Sequence, residues 1–118
     1  MNETQQSTVT TLWATVSGLI EAVHRMDAHR ARPCVAPESP LETLLDVFGV
    51  GGLVPLFYTH VAGGGHYPNR LALAGDSEAY FEVGRCRNPQ EPRTTTWAYT
   101  SLHMQHTPAG WLVADLRP

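Results

Sequence analysis

A chain of 118 residues, 42% hydrophobic and 16% charged, fits one globular domain and leaves no room for two ordinary cores. The formal charge is −3, and the eight basic residues are scattered arginines, so the basic stripe of a nucleic-acid binder is missing. The absence of lysine excludes Schiff-base chemistry from a lysine side chain.

The opening MNETQQSTVTT has no basic stretch followed by an apolar one, so it does not read as a signal peptide. No apolar run approaches the length needed to span a bilayer. These features set the expectation of a cytoplasmic protein that does not engage a membrane. Cys34 and Cys86 lie far apart with no CxxC spacing, which predicts two buried free thiols.

The first periodic segment is helical. Val9, Leu12, Trp13, Val16, Leu19, Ile20, Val23 and Met26 recur at steps of three and four, which gathers them on one stripe. Ser7 or Thr8 can cap its start, and Pro33 is expected to stop it by forcing Arg32 out of the α region. Ser39-Pro40-Leu41-Glu42 then reads as N-cap, N1, N2 and N3 of a helix over 40–48. Leu41, Leu44, Leu45 and Phe48 form its apolar face, and Gly49 ends it.

Between glycine clusters, Leu53–Leu56 reads as a turn of helix or a connector, because Pro55 argues against a central strand there. Phe57–Ala62 reads as a strand, and Gly63–Gly65 as a turn or bulge. Beyond this the pattern is β. Strands are predicted over Arg70–Ala74, Glu78–Arg87, Arg93–Thr107 and Trp111–Leu116. Gly75-Asp76-Ser77 and Pro108-Ala109-Gly110 are the turns, and Asn88–Pro92 is a loop. Ala79, Phe81 and Val83 fall on one face of their strand, Tyr80 and Glu82 on the other. Short connections favour an antiparallel meander, and helices followed by strands favour an α+β domain spanning 1–118.

Four segments carry a family resemblance. Leu19–Asp27 looks like a first helix that ends in Asp. Thr59-His60-Val61 resembles a Thr-His step on a long strand. Leu71–Ala79, with its Gly75-Asp76 turn, and Thr107–Leu116, with Gly110-Trp111, resemble two later hairpin signatures. In this order they resemble the nuclear transport factor 2-like superfamily, in particular its SnoaL-like polyketide cyclase and dehydratase branch. The resemblance implies a strongly curved sheet wrapped around the helices, a conical pocket, and a homodimer formed through the sheet.

His60 and Asp27 are the catalytic candidates on this reading. Imidazole titrates near neutral pH, and a neighbouring carboxylate orients its ring. Such a pair suits a cofactor-independent lyase or isomerase. The alternative is a non-catalytic binding or dimerisation module, favoured by Met26, which stands where active dehydratases often place a tyrosine. The expected ligand is small and apolar or aromatic, with Trp13, Trp97, Tyr99 and His103 as binding candidates.

Trp97, Tyr99, Ser101 and His103 share one face of their strand. If that face lines the cone, Tyr99 polarises a ligand oxygen and Trp97 stacks on a flat ring; if it meets a partner subunit, the same aromatics are anchors. A register shift of one residue exchanges the two faces, so the sequence leaves both readings open. His103 and His106 point to opposite strand faces, and His24 and His29 do not share a helix face well, so no metal site is expected. Neither glycine cluster matches a phosphate loop, and no G-x-S-x-G elbow occurs.

Overall fold

The computed structural model describes residues 3–54, 66–86 and 97–117, with side chains for 6–54, 69–84 and 99–116. The domain is α+β. Helices α1 (Glu3–His24), α2 (Ala28–Ala31) and α3 (Pro40–Phe48) precede strands β1 (His66–Ala74), β2 (Glu78–Cys86), β3 (Trp97–Thr107) and β4 (Gly110–Arg117). The strands form an antiparallel sheet in the order β1-β2-β3-β4. No helix is long and apolar enough to cross a membrane among the described residues.

The core is a helix stripe laid on alternate strand residues. Leu12, Val16, Leu19 and Val23 are fully buried, and so are Leu102, Met104 and Val113 of the sheet. Phe81 and Val83 of β2 complete this layer. Trp13 meets Phe81 edge to face, with ring centroids 6.3 Å apart. Thr15 Oγ1 donates to the Trp111 carbonyl at 2.8 Å, which ties α1 to the far edge of the sheet without leaving a half-buried hydroxyl unpaired.

The first helix ends earlier than the expected stop at Pro33. The Asp27 amide donates to the Ala22 carbonyl at 2.8 Å and the Met26 amide to the Val23 carbonyl at 3.0 Å. This is a Schellman closure, with Met26 left-handed at φ 56°. No glycine marks the stop, so nothing in the local sequence announces it. Asp27 then caps α2, and Arg32–Cys34 forms a 3₁₀ turn.

A left-handed non-glycine residue costs about 1–2 kcal/mol in backbone strain. Met26 is 58% exposed, so its side chain returns little packing. Met26→Gly is therefore expected to stabilise the domain by roughly 0.5–1 kcal/mol, read as a higher urea midpoint. An unchanged or lower midpoint contradicts the assignment.

Helix α3 keeps the expected bounds. Ser39 Oγ accepts from the Glu42 amide at 3.2 Å and donates to the Ala36 carbonyl at 2.6 Å. The Glu42 carboxylate accepts from the Glu38 amide at 3.1 Å, so the capping box closes one residue upstream of Ser39. Gly49, at φ 70°, terminates the helix. Val50–Leu53 forms a 3₁₀ turn, slightly before the turn or connector expected over Leu53–Leu56. The expected strand Phe57–Ala62 and turn Gly63–Gly65 lie outside the described residues.

Strand β1 begins at His66, earlier than expected, with an irregularity between Pro68 and Arg70. A second one lies opposite the His103–Met104 step, where Ala114 is the extra residue on β4. Bulges bend and twist the strands that carry them. Beyond β4, the Ala36 amide donates to the Val113 carbonyl at 2.8 Å, and Val35 forms a parallel bridge with Val113. The β4 edge is thus partly covered by the segment that leads into α3.

Candidate functional site

Strand alternation settles which face of β3 looks where. Thr100, Leu102 and Met104 are buried towards the helices. Tyr99, Ser101 and His103 therefore occupy the opposite, outer face. Trp13 packs on the inner side against Phe81, so the sheet separates it from Tyr99 and His103. Trp13 is therefore not gathered into one pocket with Tyr99 and His103. Trp97 opens β3 opposite Cys86, and its side chain lies outside the described ones.

Backbone register assembles the outer face in rows. One row runs Ala72, Tyr80, His103, Asp115 across all four strands. The next runs Arg70, Glu82, Ser101, Arg117. In the first row the Tyr80 and His103 rings stack at 5.0 Å with 12° between planes. His103 Nε2 lies 3.1 Å from Glu78 Oε1, one row along. Asp115 Oδ1 accepts from the Leu116 amide at 2.9 Å.

Among the described residues, two hollows open on this face. One of about 390 Å³ is lined by Tyr80, Ser101, His103 and Asp115. The other, about 470 Å³, is lined by Arg70, Leu71, Ala72, Tyr80, Glu82 and Ser101. They share Tyr80 and Ser101, so Tyr80 stands as a ridge between them. Tyr80 is 49% exposed and Tyr99 46%, so both rings stand half in solvent on this face. Tyr80, Glu78 and Asp115 do not stand out as site candidates in the sequence. β2 and β3 are too far apart in the sequence for a tight turn to fix the register that brings Tyr80 beside His103.

Asp27 has a local task. Its carboxylate accepts from the Arg30 amide at 3.1 Å as the N-cap of α2, and lies 3.5 Å from the Arg30 guanidinium. The side chain is 37% exposed. His60, its expected partner, lies outside the described residues. Among the described residues no group of three His, Cys, Asp or Glu side chains could hold a metal ion.

Cys34 is a free, half-buried thiol beside the Arg30 carbonyl, and burial pushes its pKa up. The thiolate fraction at a given pH is correspondingly small. In a Cys86→Ser variant, iodoacetamide should alkylate Cys34 several-fold more slowly than a free cysteine peptide near pH 8, with the gap narrowing as the pH rises. Equal rates near pH 8 contradict this.

No protein-family model, no curated protein and no solved structure matches this chain.

Proposed function

We propose that this domain is a non-catalytic binding and dimerisation module of the nuclear transport factor 2-like kind, whose outer sheet face pairs with a second copy of itself. The observation that carries the reading is Tyr80, a half-exposed ridge between two hollows on the face turned away from the helices. A two-fold interface brings the same patch of both copies together, so ridge and hollow must lie on one patch. Here they do. The floor beside Tyr80 is small, with Ala72 on one side and Ser101 on the other. Aromatic anchors in such positions are typical of interface centres.

Size and charge agree with a second copy as the occupant. Four strands about 4.8 Å apart and about nine residues long make a face of roughly 600 Å² in projection, comparable to the roughly 800 Å² per partner of a standard interface. Charges of both signs are spread over it, from Arg70 on β1 to Asp115 on β4, so two faces can be matched in sign. The two bulged strands support a bent sheet, in keeping with the cone that the family resemblance implies.

Asp27 supports the non-catalytic reading over the lyase or isomerase one. An exposed cap whose charge already faces Arg30 is a poor orienting group for a buried base. The test is sedimentation equilibrium on the full chain, where a mass of two copies is expected at micromolar concentration. A monomer at every concentration up to the solubility limit overturns the proposal.

A further inference from the structure

We infer that Arg70 sets the arrangement of the pair: its guanidinium lies on the Tyr80 ring of the second copy, which brings the copies together β1 over β1. The inference rests on the self-pairing proposed above and names the contact that orients it. Tyr80 stands between two hollows, and the Tyr80 of the second copy can enter only one of them. The larger lies along the strand, towards the row of Arg70, Glu82 and Ser101. The smaller lies across the strands, towards His103 and Asp115.

The choice of hollow fixes the symmetry. A two-fold axis that turns one face onto the other lies between the faces, midway between a ridge and the hollow it enters. Entry into the larger hollow sets the axis across the strands. Strand β1 then lies over β1, and the Arg70 row of one copy lies over the Ala72–Tyr80 row of the other. Entry into the smaller hollow sets the axis along the strands, with β1 over β4.

The state of the Tyr80 ring favours the larger hollow. Its side towards β3 is already covered by His103, stacked at 5.0 Å and held in turn by Glu78. Its other side looks over Ala72, whose single methyl group leaves room above the sheet. The β1-over-β1 arrangement delivers Arg70 of the second copy to that open ring face, the geometry of a cation–π contact. The guanidinium is available for it. Among the described residues it has no ion-pair partner, and Glu82, opposite it on β2, accepts from the side-chain amide of Asn69.

Two measurements on the full chain test this. Sedimentation equilibrium compares the wild type with Arg70→Gln, which keeps a polar planar end without the charge. Two such contacts form per pair by symmetry, so the dissociation constant should rise at least about tenfold. A smaller change overturns the role given to Arg70. In a Cys34→Ser, Cys86→Ser background, a short bismaleimide should join two Ala72→Cys chains, because exposed position 72 then faces its counterpart across a sheet spacing of roughly 10 Å. Ser101→Cys is the control, since Ser101 borders both hollows and either axis brings it near its counterpart. Cross-linking at 101 without cross-linking at 72 overturns the inference and leaves the pairing standing, because it lays β1 over β4, about three strand widths or roughly 14 Å aside. A chain that stays monomeric at every concentration overturns both the inference and the pairing.

Discussion

Replacing Phe81 by alanine is expected to cost about 3–5 kcal/mol of unfolding free energy, a large share of the roughly 5–15 kcal/mol available to a domain. Phe81 is 1% exposed, and its surroundings set the size of the loss. It lies in β2 between β1 and β3, paired with Leu71 and Leu102. On its helix side the edge of Trp13 meets the ring. Truncation removes that aromatic contact and opens a cavity that fully buried neighbours cannot collapse into without moving α1 off the sheet. Urea denaturation followed by circular dichroism measures the effect. A loss below about 1 kcal/mol means that the helix and sheet do not pack as described.

Tyr80→Glu, one residue away, should do the opposite. Tyr80 points to the outer face, so the isolated fold should keep its unfolding free energy to within about 1 kcal/mol. The pairing should suffer instead. The substitution removes the ridge between the hollows and adds a charge to a face that already holds Glu78, Glu82 and Asp115. Losing an aromatic anchor costs about 2–4 kcal/mol of association, or roughly 30- to 1,000-fold in the dissociation constant. Sedimentation velocity reads that change directly. A variant that pairs as tightly as the wild type places the contact elsewhere.

These two neighbours illustrate what was legible in the sequence. Alternation along β2 assigns Ala79, Phe81 and Val83 to one face and Tyr80 and Glu82 to the other, and burial separates them in that way. The α3 boundaries were also readable, because Ser39, Pro40 and Gly49 each have a backbone reason to stand where they do. The end of α1 was not readable. Its Schellman closure uses Met26 in a conformation that sequence rules reserve for glycine, so Pro33 was the only visible stop.

The candidate site was less legible than the fold, for a physical reason. That Tyr99, Ser101 and His103 share a face follows from a period of two. Which way the face looks depends on the register against β2 and on the packing of α1, both long-range facts. The row joining Tyr80, His103 and Asp115 needs two registers at once, and the second is offset by the extra residue Ala114. Asp27, the catalytic candidate implied by the family resemblance, is the N-cap of α2, a task set by the unforeseen end of α1.

Spin labels report most directly on whether the outer face meets itself. Ser101 is exposed and borders both hollows. In a chain carrying Cys34→Ser, Cys86→Ser and Ser101→Cys, a nitroxide at position 101 should see its counterpart at short range, since packed sheets lie roughly 10 Å apart. A matching label on the exposed helix residue Thr10 should see its counterpart only at long range. Short distances from position 10 and none from position 101 would mean that the copies join through their helices, which contradicts self-pairing through the outer sheet face.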